Sequence, residues 1–293
     1  LILSCPAKTF LIGEYVALDG GPSLLLSTGP RFQLTVRSGD AAALPWHPAS
    51  PAGVLADKHE EELKGWTFDF LDPYHGRGGL GASSAQFVLL YAFLNDFTAP
   101  LDLRALLRDY RACAWNGEGT PPSGADVIAQ VTGGVTYFDG LTFTAERLAW
   151  PFPEIGFTLI RTGVKLATHE HLREGTLAPH STLRTIVIEA RKAFDSGDEM
   201  RLIEAVNACA LVLRQSGLTA PATTDLLDQM RDNHEIFWAS KGCGAMGADI
   251  ILVLHPRAQT DAVASWAKGR GLEICGTVDS LTSGLDVFQE THA

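Results

Sequence analysis

Residues 78–85 read Gly-Gly-Leu-Gly-Ala-Ser-Ser-Ala and run straight into the apolar stretch Gln86–Leu94. No other segment restricts the fold as tightly. Glycine permits backbone turns that other residues resist and lets N–H groups approach a partner closely. A helix expected over Ser83–Leu94 adds unpaired N–H donors and a partial positive charge at its start. Together they make an anion-binding turn suited to phosphate. Taken alone, the segment fits a glycine-rich turn with a serine cap equally well. It lacks the Gly-Lys-Ser/Thr ending of a Walker loop and the third glycine of a dinucleotide fingerprint. Ser83 or Ser84 could offer a hydroxyl to Mg²⁺.

Three more stretches carry chemistry. Pro6–Tyr15 places Lys8 inside an apolar strand, with Gly13-Glu14 shortly after. Lysines are seldom buried without a partner, so Lys8 either faces solvent from an edge strand or points into a cleft to neutralise phosphate charge. Glu118–Asp126 offers two carboxylates on a loop before a short helix, which Ser123 would cap and Gly133-Gly134 would end. Such carboxylates suit Mg²⁺ or a phosphoryl acceptor. Ala239–Asp249 is a run of small residues that leads into an apolar strand at Ile250–Leu254; it fits close backbone approach to a ligand or another loop and a tight helix-to-strand turn equally well.

The 293 residues are 46% apolar and 19% charged, which excludes a disordered chain. A net charge of −11 leaves no basic track for nucleic acid. No apolar run approaches the ~18 residues of a membrane helix. The five cysteines are odd in number and widely spaced, which reads as reduced thiols in a cytoplasmic protein. The partner expected is a small molecule, and a homodimer is left open. Pro151-Phe-Pro153 marks a junction between residues 1–150 and 151–293. Asp102 is positioned to cap a helix over Leu103–Trp115, and further helices are expected near Thr182–Phe194, Glu199–Gln215, Thr223–Ala239 and Ala258–Lys268. Ser38–Glu62 reads as a long loop with a short helix at Asp57–Leu63. Helices and strands without strict alternation give an α+β class.

The order and spacing of the four stretches resemble the GHMP kinase superfamily, which includes galactokinase, homoserine kinase, mevalonate kinase and phosphomevalonate kinase. Pro6–Glu14, Gly79–Ala85 and Lys241–Asp249 match the three family motifs, and Ser123–Asp126 falls between the last two. The resemblance implies a two-domain fold: an N-terminal domain like ribosomal protein S5 domain 2 and a ferredoxin-like C-terminal domain, with ATP and Mg²⁺ between them. It implies Gly79, Leu80, Gly81, Ala82, Ser83 and Ser84 on the ATP phosphates; the Ser38–Glu62 stretch is where an adenine pocket is sought. Ser83 and Glu118 would hold Mg²⁺. Lys8 and Asp126 would be catalytic, Asp126 orienting Lys8 and holding the acceptor. Glu14, Ser123, Gly124, Lys165, Thr168, Gly244 and Ala245 would meet the acceptor.

The phosphomevalonate kinase branch is the most similar, through Gly13-Glu14-Tyr15, Ser123-Gly-Ala-Asp-Val127, Asp249 and Thr162-Gly163 followed by Ala167-Thr168. That branch implies an anionic acceptor, with Arg31, His75, Arg77, Arg161 and Lys165 as candidate cations around it. Mevalonate kinase, a sugar kinase of the same fold, and a non-catalytic nucleotide-binding sensor are the alternatives. The chain departs from the family at Met246 and Ala248, where the third motif normally continues in glycine, and at Ala82 and Ser84 in the phosphate loop.

Overall fold

A computed structural model describes residues 1–39, 43–95, 99–163 and 179–288. It has the α+β class expected, built on two antiparallel sheets. The first contains β1 (Ile2–Ile12), β2 (Pro22–Ser38), β3 (Trp66–Leu71), β4 (Val135–Asp139), β5 (Thr144–Leu148) and the C-terminal β10 (Asp286–Phe288). Its order is β10-β1-β2-β4-β5, with β3 also on β2. The second contains β6 (Ile155–Arg161), β7 (Ala239–Cys243), β8 (Ile250–Pro256) and β9 (Glu273–Thr277), in the order β7-β8-β6-β9.

Six helices accompany the first sheet: α1 (Glu14–Leu18), α2 (Pro51–Lys58), α3 (Glu60–Leu63), α4 (Ala82–Leu94), α5 (Leu103–Ala114) and α6 (Ala125–Thr132). Among the described residues four follow β6: α7 (His180–Ser196), α8 (Glu199–Gln215), α9 (Pro221–Arg231) and α10 (Thr260–Lys268). α4 and α6 pack on β1 and β2, and α8 and α9 pack on β7. α4 is apolar almost all round, so it is buried rather than lying on a surface. Ser84, Ala85 and the run Phe87–Ala92 are all covered.

β1 runs unbroken through Pro6. Its pairing with β2 shifts register between Cys5 and Ala7. Pro6 lies at that shift because a residue without an N–H is tolerated where the ladder is interrupted. Beyond it Lys8 and Phe10 are half-buried, while Ala7, Thr9 and Leu11 are fully covered.

Asp102 caps α5 as expected: its Oδ1 accepts from the N–H groups of Arg104 (2.8 Å) and Ala105 (3.3 Å). The expected loop over Ser38–Glu62 instead contains α2, capped by Ser50, whose Oγ accepts from Gly53 N at 3.1 Å. Pro51 at the first helical position completes that start signal. The helix expected to reach Ala239 ends at Arg231, and Ala239–Cys243 is the strand β7 rather than a turn. Among the described residues no helix is long and apolar enough to cross a membrane, and all five cysteines are free thiols.

After β9 the chain crosses back to the first sheet. Thr282 N donates to Ser27 O, Gly134 N to Thr282 O and Leu285 N to Val131 O. A Cβ at Gly284 would fall 1.9 Å from Val131 O, so only glycine fits where this strap crosses the end of α6. Arg31 fastens the strap, donating to Ser283 O (2.7 Å) and Gly284 O (2.5 Å) and pairing with Asp286 (3.1 Å).

His255 in β8 is fully buried and sets a pH limit on the fold. Its Nδ1 lies 2.9 Å from Pro256 O, and its Nε2 lies 2.9 Å from Thr158 Oγ1. The neutral ring with a proton on Nδ1, accepting from Thr158 at Nε2, satisfies both contacts. Burial lowers its pKa below the ordinary 6.5. Protonation therefore favours the unfolded chain. His255's contribution is complete above 6.5 and is lost as pH falls through the lower folded value. The melting temperature of wild type should drop more between pH 7.5 and pH 5 than that of His255→Gln. Equal drops would show that His255 does not titrate across folding.

Candidate functional site

The glycine loop is wedged between two other motifs. Gly79 and Gly81 both adopt left-handed backbone, with φ of 92° and 87°. A Cβ on Gly79 would lie 2.7 Å from Asp249 Cβ, and one on Gly81 would lie 3.0 Å from both Cγ and Cε of Lys8. The loop's carbonyls are engaged from below. Leu80 O accepts from Lys8 N at 3.1 Å. Gly81 O accepts from Gln130 Nε2 (3.0 Å) and Ser84 Oγ (3.0 Å). In a trans peptide the following N–H points the opposite way, so Gly81 and Ala82 turn their N–H groups away from β1 and α6. Among the described residues the N–H groups of residues 79–84 donate to no acceptor. Ser83 is exposed on the first turn of α4, whereas Ser84 is 3% exposed and spends its hydroxyl inside the loop.

Lys8 and Asp126 meet beside this loop. Lys8 Nζ is 3.0 Å from Asp126 Oδ2, with side chains 12% and 29% exposed. Asp126 stands in the first turn of α6. The N-cap there is Gly124, not Ser123: Gly124 has φ of 74°, and Leu107 Cδ1 occupies the space its Cβ would need. Ser123 Oγ accepts from Ala125 N at 3.3 Å. Arg111 fixes this approach by donating to Pro122 O (3.2 Å) and Ser123 O (2.9 Å). Burial, followed by the charge of Asp126, pushes the Tyr110 phenol well above the ordinary range.

Gln130 was not anticipated. It is fully buried and bridges Pro6 O (3.1 Å) and Gly81 O (3.0 Å). It thereby joins β1, α6 and the glycine loop around Lys8. Its place four residues after Asp126, on the same helical face, was the available signal.

Glu14 is committed to an ion pair. Its Oε1 is 2.6 Å from Lys241 Nζ; Lys241 is fully buried and Glu14 is 9% exposed. Burial alone would lower the Lys241 pKa, but the Cys243 sulfur and the Glu14 carboxylate hold it above the ordinary lysine range. This pair ties α1 to β7. Two residues beyond, Cys243 Sγ donates to Phe10 O at 3.3 Å, so β7 touches β1 just before the third motif turns away at Gly244. Burial and the nearby Glu14 charge push the Tyr15 phenol up to about 12.

The third motif is tightly closed on itself. A Cβ on Gly242 would lie 2.4 Å from Gly247 O, and one on Gly244 would lie 2.7 Å from Asp249 Oδ2. Ala245 opens a single 3₁₀ turn, Ala245–Gly247, in which Met246 has φ of 54°. Ala248 is fully buried, so its methyl fills the core.

Other expected residues lie apart from this cluster. Glu118 stands on an exposed loop held through its backbone, Trp115 Nε1 donating to its carbonyl at 2.8 Å. Among the described residues its carboxylate makes no contact with Ser83, Lys8 or Asp126, and no three His, Cys, Asp or Glu side chains form a metal cage. Mg²⁺ with a nucleotide needs only one or two protein oxygens, so an exposed Ser83 hydroxyl fits that ion. Lys165 and Thr168 lie outside the described residues. Of the candidate cations, Arg31 is corrected to a structural role in the strap. Arg77 pairs with Glu273 at 2.5 Å, His75 is exposed, and Arg161 is buried under the loop. Gly76–Gly78, Arg161, Asp249 and Glu273 border a cavity of about 440 Å³.

No family model and no curated protein matches the sequence. Solved structures do match in fold. *Streptococcus pneumoniae* phosphomevalonate kinase in complex with phosphomevalonate and AMPPNP aligns with a TM-score of 0.74 and 16% identity, over 94% of this chain and 99% of that one. *Methanococcus jannaschii* mevalonate kinase gives 0.74 and 11%, over 97% and 98%. *Lactococcus lactis* galactokinase complexed with galactose gives 0.74 and 13%, over 98% and 95%. The chain therefore has the two-domain α+β fold of these small-molecule kinases.

Proposed function

We propose that the chain is an ATP-dependent small-molecule kinase whose acceptor is 5-phosphomevalonate. The observation that carries the kinase reading is the Lys8–Asp126 pair at 3.0 Å, set beside a glycine loop with unspent N–H groups. That loop fits a polyphosphate: its carbonyls are turned inward, its glycines leave no room for side chains, and a helix begins behind it. ATP with Mg²⁺ would supply the transferable phosphoryl group and neutralise part of its charge.

The protein's share is positioning and charge. The N–H groups of Gly79–Ser83 hold phosphate oxygens, and the Ser83 hydroxyl reaches the metal. Lys8 neutralises the oxygens that approach one another, and Asp126 keeps Lys8 in place. A phosphomonoester has a second pKa near ~6, so at neutral pH its oxygen needs no base. With such an acceptor Asp126 has only the positioning role; with an alcohol it would also take the proton.

Support for the phosphorylated acceptor comes from Gly13-Glu14-Tyr15, Ser123–Val127 and Asp249, and from the fold shared with a kinase solved with phosphomevalonate. The test is ADP release with ATP and Mg²⁺ over 5-phosphomevalonate, mevalonate and galactose. Turnover should be fastest with 5-phosphomevalonate. Faster turnover of either alcohol would reject the acceptor and keep the kinase. ATP binding without turnover of any of them would reject the acceptor and reopen the sensor reading.

A further inference from the structure

The start of the glycine loop does not rest on the first sheet alone. Arg161, the last residue of β6, is 8% exposed and reaches across to it. One nitrogen, Nη1, donates to two successive carbonyls, Arg77 O and Gly78 O, each at 2.9 Å. Nε faces Glu273 Oε2 at 3.4 Å, and the guanidinium carbon lies 6.0 Å from the Tyr74 ring. Tyr74 is in turn fixed, its hydroxyl donating to Pro30 O at 2.8 Å and its N–H to Asp72 Oδ1 at 2.8 Å. Two residues on, Gly79 seats against Asp249 and Ile250 at the start of β8.

We propose that Arg161 is a positioning residue that sets the N–H groups of the phosphate loop from the second sheet. The argument is peptide geometry. Each trans peptide plane carries its C=O and the next N–H on opposite sides. Pinning Arg77 O and Gly78 O toward Arg161 turns the N–H groups of Gly78 and Gly79 away from it. Lys8 N and Gln130 do the same from the other side for Gly81 and Ala82, through Leu80 O and Gly81 O. Glycine at 78, 79 and 81 leaves the backbone free to rotate, so this orientation must be imposed from outside. Arginine suits the task because its fork presents several fixed donors on a rigid plane. The consequence is that nucleotide affinity depends on the second sheet, although that sheet supplies none of the phosphate-binding amides. The functional meaning of this strut rests on the kinase reading; its mechanical part does not.

The test uses the intact chain with Arg161→Met and Arg161→Lys. Arg161→Met should raise KM for ATP at least ~10-fold, with kcat within about threefold and KM for the acceptor unchanged. Arg161→Lys should recover part of the loss, because an ammonium can still serve the two carbonyls. Amide hydrogen exchange without nucleotide should quicken about tenfold or more in Arg161→Met at Lys8 and Ala85, whose N–H groups donate to the loop carbonyls Leu80 O and Gly81 O, and stay unchanged in β2. Unchanged exchange at Lys8 and Ala85, or unchanged KM for ATP, would overturn the proposal. Uniform loss across kcat, both KM values and the melting temperature would overturn it too, since that is general damage. If wild type binds no ATP, the kinase reading fails, and the exchange experiment still decides the strut. Should Arg161→Met not fold, Glu273→Gln provides the milder variant, with an expected rise in KM for ATP of about two- to threefold.

Discussion

Lys8→Met lowers kcat by at least ~10²-fold, the scale for losing a preorganised charge at a reacting phosphate. The fold should barely notice. Methionine keeps the stem that packs beside Gly81, and Asp126 is 29% exposed, so water rehydrates it once its partner is gone. The expected stability change is about 1 kcal/mol or less, as for a partly exposed ion pair. KM for ATP should change little, because the loop amides and not Lys8 carry most ground-state contacts to the phosphates. Asp126→Asn removes the charge that holds Lys8 and should also cost kcat. The double variant should lose scarcely more than the worse single one, since residues that act as a unit are not additive. Steady-state ADP release beside thermal melts would check this. Additive losses, or kcat within threefold for Lys8→Met, would remove the pair from the reaction.

Several features that build this site could be read in the sequence, and the reasons are local. The Gly78–Ala85 loop, its helix and the Asp102 cap depend on neighbours a few residues away. Ser50-Pro51 carried a start signal of the same kind, but Gly53 in the helix interior masked it. That glycine is required, since His47 O lies 2.2 Å from where its Cβ would be. The face taken by Lys8 was not legible. It depends on a register shift at Pro6, which only the pairing with β2 reveals. Gln130 acts on Pro6 and Gly81, 124 and 49 residues distant in sequence. Arg31 has the look of a substrate cation, yet it ties Ser4 of β1 to strap carbonyls more than 250 residues away. β7 has the small residues that suit a turn. Its strand character comes from pairing with β8, and its packing against α8 and α9 buries Lys241.

Glu14→Gln should produce the largest loss of stability, about 3–5 kcal/mol at pH 7.5, because it leaves the Lys241 ammonium buried without its counter-charge. The pair is short at 2.6 Å, and Lys241 has no exposed surface through which water could replace the carboxylate. The loss should also shrink as pH rises. In wild type the folded Lys241 pKa lies above the ordinary 10.5. The pair's contribution is therefore complete below 10.5 and fades as pH rises through the folded value. Without Glu14, burial is opposed only by the Cys243 and Cys209 sulfurs, which burial keeps protonated, so the lysine's folded pKa falls below its unfolded one. The variant then regains stability as pH rises toward the unfolded value, while wild type does not. Urea unfolding at pH 7.5 and 9.5 should show the gap between the two proteins narrowing. Glu14→Gln combined with Lys241→Met removes both charges and should recover most of the loss, since a buried pair contributes less than one broken pair costs. A loss under about 1 kcal/mol for Glu14→Gln, or a double variant no more stable than the single one, would mean that α1 and β7 are joined by packing rather than by this pair.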